Sequence, residues 1–403
     1  MMLYSNYHKH DDYTNPGVSD CAVTIEAYAK RARELGHKLL SSCEHGYQGN
    51  VWEAYKLAKQ YDLKFLVGAE AYWVKDRTEN DPTNCHIFLG ARNENGRQAI
   101  NDILSEANIS GFYRRPRIDI PLIMSLPRDD VWVTSACVAG WKYDDVEDIF
   151  ARFADHFGKN FMLEVQYHLT QKQAELNARI LKLRDRLGSP IIMGCDSHYI
   201  YPEQDQTRTD FLTSKEMYYS DEEGWFLDYP DGDTAYNRFA KQCILNGKQI
   251  EEAIANTNVF LEVEEYDSPI FSSEIKMPTL YPSWSQKEKD EEYTRLVWEG
   301  WDAYKHNVPE EQHAHYRSEI QAEIDTVVDT HMSDYFIINN KIIKRGKENG
   351  GWLTKSGRGS AVSFITNMLL GFTEVDRIAA KVKMYPERFM STARILQSGS
   401  LPD

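Results

Sequence analysis

Through its first 200 residues the chain alternates short, β-branched apolar runs with stretches whose apolar residues recur at three- and four-residue spacing. That alternation confines the fold to βα units around a parallel sheet or barrel. Seven runs have strand character: LYSNYH (3–8), HKLLSS (37–42), KFLVGA (64–69), HIFLGA (86–91), VWVTSA (131–136), NFMLEV (160–165) and PIIMGC (190–195). Between the first two lies TIEAYAKRAREL, whose Ile25, Tyr28, Ala29 and Ala32 share one helix face, and QAELNARILKLRDRL before the last run has the same period. An α/β fold with seven strands and intervening helices suits an irregular TIM-like (βα)7 barrel.

The pattern then changes. From about 203 to 263 it is helical, and the stretch EYDSPIFSSEIKMPTLYPSWSQ is rich in Pro and Ser without a period, which places a domain boundary there, with domains at 1–268 and 269–403. Beyond it, SQKEKDEEYTRLVWEGWDAY and HYRSEIQAEIDTVVDTHM are strongly helical. DYFIINNKIIKRGKEN and the glycine-containing SGRGSAVSFITNMLLGF follow.

Composition limits the partners. No apolar run approaches the roughly 20 residues that span a bilayer, and MMLYSNYHKHDDYT lacks the apolar core of a signal peptide, so the expectation is a cytoplasmic protein with no membrane partner. The six cysteines, Cys21, Cys43, Cys85, Cys137, Cys195 and Cys243, are widely spaced and contain no CxxC pair, as in free thiols of a reducing compartment. A formal charge of −16 argues against a surface coated in cations, so any contact with nucleic acid must be local. The candidate surface is basic: Lys341, Lys344, Arg345, Lys347, Lys355 and Arg358 surround GGWLTKSGRGS.

In an extended chain residues i and i+2 point to the same side, so His8 and His10 of YHKHDD can aim two imidazoles at one point, as can Asp196 and His198 of CDSHY. Glu44 and His45 follow the second strand run, Glu70 the third, and Cys137 the run VWVTSA. A lone HxH is seldom a metal site, and a lone cysteine is more often a small buried apolar residue. Repeated placement at strand ends changes that balance, because in a βα barrel those ends share one rim. Imidazole, carboxylate and thiolate together suit zinc, manganese or iron, and several such ions can act together on a phosphate ester.

In order along the chain, YHKH, SCEHG, GAEAY, HIFLGARN, TSAC and CDSHY resemble the motifs of the polymerase and histidinol phosphatase (PHP) domain, in the version at the N-terminus of bacterial replicative DNA polymerase alpha subunits. The resemblance covers roughly residues 3–260. It implies nine ligands for three divalent metals: His8, His10, Glu70 and Asp196 around one ion, Glu70 bridging to a second held by His86 and Cys137, and Asp20, His45 and His198 around the third. Two departures stand out. Glu44 replaces the usual aspartate before the second-motif histidine, and the loop DDYTNPGVSD is longer than in the family. Counting back from TIEAYAKRA selects Asp20, with Asp11 and Asp12 as alternatives.

In the second half, a glycine turn before an apolar helix beginning near Ala361 could present backbone N–H groups and a helix dipole to phosphate. Taken alone, such a turn is usually a loop connection. The wider segment from DYFIINN to GFTEVD, with PERF at 386–389 and LPD at 401–403, resembles the start of the alpha-subunit palm, a partial α/β domain. That resemblance assigns Arg358, Gly359 and Ser360 to the incoming dNTP and Asp403 to the first catalytic carboxylate, with Mg in the complete palm. Here Lys355 and Ser356 replace the family's Gly-Pro before the turn. DNA contact falls to Lys341, Lys344, Arg345 and Lys355. The other palm aspartates, fingers and thumb are not in the chain, and two-metal phosphoryl transfer needs more than one carboxylate, so it is not expected to polymerise DNA unaided.

The implied function is a metal-dependent 3′–5′ exonuclease or phosphoesterase within a polymerase that extends primer-template from dNTPs. Two alternatives compete with it: a metal-braced scaffold that docks a separate proofreading exonuclease subunit, and a small-molecule phosphatase, which leaves GRGS, PERF and LPD without a purpose.

Overall fold

A computed structural model describes residues 2–218, 224–272, 278–353 and 357–398. The chain falls into two compact units, Met1–Ser272 and Ser273–Asp403, each with its own hydrophobic core.

The first unit is mixed α/β. Its strands are β1 (Leu39–Ser41), β2 (Lys64–Leu66), β3 (Gly68–Val74), β4 (Cys85–Ala91), β5 (Phe112–Tyr113), β6 (Arg115–Asp119), β7 (Val131–Thr134), β8 (Phe161–Val165) and β9 (Ile191–Met193). β1 and β2 pair in parallel, and the other seven form one sheet in the order β5-β6-β3-β4-β7-β8-β9. Past β1 the backbone runs on beside β3, where Glu70 N–H donates to Glu44 O and Gly46 N–H to Glu70 O.

Three strand expectations need correction. Residues 3–8 form no ladder; they lie between β1 and the end of β9, held by Ser41 Oγ donating to the carbonyls of Asn6 and Tyr7 and by a parallel bridge between Lys9 and Ser197. Single bridges and side chains thus close the ring there. The KFLVGA run divides into β2 and β3, and β4 is antiparallel to both β3 and β7 rather than parallel. The cause is chain length. Only residues 75–84 join β3 to β4, whereas a parallel crossover needs a dozen or more.

The helices follow their periods and caps. Ile25–Leu35 starts at Thr24, whose hydroxyl accepts from Ala27 N–H, buries Ile25, Tyr28, Ala29, Ala32 and Leu35, and ends at left-handed Gly36. Gln171–Leu187 is built the same way between Thr170 and Gly188.

Among its described residues the second unit carries helices and single turns only, so the strands of a partial α/β palm are not met there. Its long segments have helical periods, and a strand needs a paired neighbour to satisfy its backbone. Gln286–Tyr304, His313–Asp329 and Ser333–Glu348 enclose Tyr293, Trp301, Ile320, Ile324, Phe336 and Phe364. Phe389 of PERF packs into this core against Phe336 and Phe364. A second correction concerns the segment after the glycine turn. A single 3-10 turn begins at Ala361 and ends at Ser363, but the α-helix begins only at Ile365 and runs to Leu369. Its first N–H groups, on Ile365 and Thr366, already donate to the buried Glu323 carboxylate at 3.0 and 2.8 Å. No helix dipole is left there for phosphate.

Candidate metal centre

Strand ends of the first unit deliver their polar side chains to one buried cluster. At its middle lies Glu70, on β3 and 1% exposed. Its Oε1 is 3.2 Å from His8 Nε2 and 2.9 Å from His86 Nδ1, and its Oε2 is 2.9 Å from His45 Nδ1 and 3.4 Å from His10 Nε2. Asp196 Oδ1 stands 3.3 Å from both His8 Nε2 and His10 Nε2. Cys137 Sγ lies 3.5 Å from His86 Nδ1 and 3.7 Å from Glu70 Oε1. His198 Nε2 meets Asp20 Oδ2 at 2.9 Å, and the His10 ring lies between those of His45 and His198, with centroids 4.1 and 4.8 Å away.

All nine expected ligands therefore sit together. The donor atoms of seven of them form three overlapping groups: His8, His10 and Asp196; His45, Glu70 and His86; and His10, His45 and His198, with Cys137 beside His86 and Asp20 beside His198. His45 touches Glu70 as well as facing His198, so it lies between two groups rather than in one. Of the three candidate aspartates only Asp20 joins the cluster. Asp11 turns away to Lys9 Nζ at 2.5 Å and Asn50 Nδ2 at 2.9 Å, and Asp12 is exposed. Glu44 belongs to that same buried group behind the cluster, accepting from Asn50 Nδ2 at 2.7 Å.

The backbone bends sharply where the ligands are presented. Ala136 and Asp196 adopt left-handed conformations, φ 53° and 47°, which cost about 1–3 kcal/mol apiece and recur at functional sites. Gly140 lets the turn after Cys137 seat itself, since a Cβ there would lie 2.2 Å from Ser135 O and 2.8 Å from His86 O.

Does this donor set suit cations? Buried polar atoms are normally satisfied, yet His8 Nε2, both ring nitrogens of His10, His45 Nδ1 and Glu70 Oε2 approach one another and their neighbours without hydrogen-bond geometry. The electrostatics agree. Burial pushes the His10 pKa down, but the carboxylates of Asp196 and Glu70 close beside the ring outweigh it and raise it to about 9. Burial would raise Glu70, but the charges of His86, His8 and His45 hold it well below the carboxylate range. Asp20 is lowered likewise, against its burial, by His198 and Arg208. Burial and then Glu70 push the Cys137 thiol up. Carboxylates this acidic beside His8 and His10, whose imidazoles must otherwise take up protons, form a place for positive charge, and the residues fit divalent ions.

One supporting residue escaped the sequence analysis. Glu164 on β8 is fully buried and receives His8 Nδ1 at 2.8 Å, Tyr7 Oη at 2.6 Å, Gln166 Nε2 at 2.8 Å and Thr134 Oγ1 at 3.1 Å. A carboxylate behind a ligating histidine fixes the ring and its tautomer. The only signal in the sequence was a glutamate inside the apolar run FMLEV.

The second unit's expected residues form no comparable cluster. Lys341, Lys344 and Arg345 are exposed on Ser333–Glu348, Arg358 and Gly359 are exposed, and Ser360 is half-buried. Among the described residues no hydrogen bond or ion pair joins these groups. Lys355 and Asp403 lie outside the described residues.

Comparison with known proteins matches the PHP domain family over residues 6–168 and the bacterial DNA polymerase III alpha NTPase domain family over residues 291–403. The DNA polymerase III alpha subunits of Helicobacter pylori and Aquifex aeolicus are each 24% identical across 99% of this chain and 35% and 36% of their own lengths. That of Borreliella burgdorferi is 26% identical across 99% of the chain and 34% of its own. The chain thus spans about a third of the length of the curated relatives it matches. A solved structure assigned as a metal-dependent phosphoesterase from Bifidobacterium adolescentis overlaps 49% of this chain and 87% of its own, with 15% identity and a TM-score of 0.31, too low to bear on the fold. The two family matches, in this order along the chain, together with relatives aligned over nearly its whole length, show that the chain is similar to the N-terminal part of bacterial DNA polymerase III alpha subunits.

Proposed function

We propose that the first unit is a trinuclear, metal-dependent phosphodiesterase that removes nucleotides from a 3′ end, and that the second unit is the opening of a polymerase palm. The observation carrying this reading is the convergence of nine ligand-competent side chains, four of which, His8, His10, His45 and Glu70, hold buried atoms without a hydrogen-bond partner. His8, His10, Glu70 and Asp196 would hold one ion, His86 and Cys137 a second with Glu70 between them, and Asp20, His45 and His198 a third. Bound there, zinc, manganese or iron would supply Lewis acidity toward a phosphate ester and its attacking water. The chain's own part is positional. Glu164 fixes the His8 ring through Nδ1 and leaves Nε2 facing the cluster, while Arg208 donates to Asp20 Oδ1 and leaves Oδ2 toward His198.

By its similarity to DNA polymerase III alpha subunits, the longer protein would extend primer-template with dNTPs and Mg in the cytoplasm. Arg358, Gly359 and Ser360 would then face the triphosphate, Asp403 would be a metal-binding carboxylate, and Lys341, Lys344, Arg345 and Lys355 would face DNA. The test is release of nucleotides from a 3′-labelled single strand by protein loaded with manganese or zinc. His10→Ala should reduce release to background and Arg358→Ala should not. Activity surviving His10→Ala undiminished would sink the exonuclease reading. Protein that binds its metals but releases nothing would instead be the scaffold that docks a separate proofreading subunit.

A further inference from the structure

The metal cluster opens into a cavity of about 800 Å³, in the range that accepts ligands larger than a phosphate ion. His45, Glu70, His86 and Cys137 line it, and so do two cations that no strand-end pattern announces, Arg115 and Lys142. Arg115 begins β6, donates to Gly17 O and lies 5.8 Å from the Tyr72 ring centroid. Lys142 follows the Val138–Trp141 turn, and its Nζ donates to the carbonyls of Thr83 and Asn84, each at 3.1 Å. Carbonyl partners orient a cation but leave its charge whole. Two further cations line the cavity, Lys172 and Arg179, and Arg179 shows the contrast, being paired with Glu147 at 2.5 Å. Among the described residues no ion pair engages Arg115 or Lys142.

Two fixed, uncompensated cations at this cavity need a reason. Of the lining carboxylates, Glu175 accepts from Gln171 Nε2 at 2.8 Å and forms no ion pair with either cation, and Asp20, Glu70 and Asp196 would account for them only if the ligands held no ions. With divalent ions in place the cluster is itself positive, and adding like charge is unfavourable unless an anion is bound between. An anion reaching both the ligand cluster and a separate cation pair carries more than one phosphate. We propose that Arg115 and Lys142 form a clamp for the phosphate adjoining the one at the metal ligands. The ligand of the cavity is then a strand of at least two nucleotides rather than a phosphate monoester. The inference rests on the phosphodiesterase reading and deepens it by naming the substrate class.

Equilibrium binding separates the two ideas, because it does not require turnover. The probes are a thymidine dinucleotide with a 5′-phosphate and a phosphorothioate linkage, and thymidine 5′-monophosphate, each titrated against the metal-loaded full chain. Wild type should bind the dinucleotide more tightly. A hydrogen bond to a charged group contributes about 1.5–3 kcal/mol, so Lys142→Gln should weaken the dinucleotide about tenfold and the monophosphate less than about twofold. It should also flatten the salt dependence of dinucleotide binding by about 0.7 in log–log slope, which a merely structural lysine would not do. Arg115→Gln should act alike. Lys142 is exposed, so its variant should fold even if the Arg115 variant does not. Equal loss for both probes, or none for either with Lys142→Gln, would overturn the clamp. Dinucleotide binding that obeys these expectations without any nucleotide release by wild type would instead count against the phosphodiesterase reading alone.

Discussion

Glu164 shows how far a single side chain reaches into the cluster. Its carboxylate gathers Tyr7, His8, Thr134 and Gln166, and Gly194 leaves it room, since a Cβ there would stand 2.0 Å from Glu164 Oε1. Replacing such a partner weakens metal binding by about 10–100-fold. Glu164→Gln keeps the shape and loses the charge, so it should lower affinity within that range without unfolding the protein; competition with a chromophoric chelator measures this, and unchanged affinity would remove Glu164 from the site's support. A different buried group, His37, sets a pH dependence. Burial, and then the charge of Arg31, push its pKa down to about 4. The unfolded chain therefore binds the proton more readily, and the stability from neutral His37 is whole above pH 6.5 and lost as pH falls toward 4. The full loss is roughly 3 kcal/mol. His37→Phe keeps the ring between Tyr4 and Tyr229. Its denaturation midpoint should fall less between pH 7 and pH 5 than that of wild type; parallel curves would contradict the assignment.

Elements differ in how plainly their sequence announces them, and β6 is the hardest case. RPRID looks like a charged loop, yet Arg117 is 2% exposed and donates to the carbonyls of Gly111, Glu79, Asp81 and Arg77 at 2.8–2.9 Å. A guanidinium has enough donors for several acceptors, so it can serve as the core of a strand and the loops around it. Arg117→Met should leave those carbonyls unsatisfied and destabilise the first unit by at least about 3 kcal/mol, with Arg117→Lys recovering only part. Denaturant melts test this, and a loss under about 1 kcal/mol would show that water replaces the guanidinium. The runs that were legible, such as Phe161–Val165 and Ile191–Met193, are apolar and buried along their whole length. HxH spacing and strand-end placement made seven of the ligands legible too, because periodicity is local, whereas Asp20 and His86 came only from the family resemblance. Direction of pairing and second partners are not local. Nothing in HIFLGA states that β4 runs antiparallel, and nothing in LYSNYH states that its backbone bonds will go to Ser41 and Ser197 instead of a ladder. Nor does the apolar run after SGRGS reveal that Glu323, more than 40 residues earlier, occupies the start of its helix.

At the scale of the whole molecule, each unit has its own core, and among the described residues only the first contains the buried histidine and carboxylate cluster. Ions that bind the folded first unit and not its unfolded chain stabilise it by mass action, about 2.7 kcal/mol at a hundredfold excess over Kd. For a unit of this size each kcal/mol moves Tm by roughly 2–4 °C. Stripping the metals with a chelator should therefore lower the transition of Met1–Ser272 by roughly 5–10 °C, and returning zinc or manganese should restore it. The second unit's core, built on Tyr293, Trp301, Ile320 and Phe336, holds no such cluster among its described residues, so its transition should stay in place. Calorimetry of the full chain with and without chelator reads both events, and tryptophan fluorescence of variants at Trp132 and Trp301, each buried in a different core, assigns them. If neither transition moves, the ions contribute nothing to the fold and the nine side chains are not their ligands. If both move together, the two units melt as one and the separate cores do not act separately.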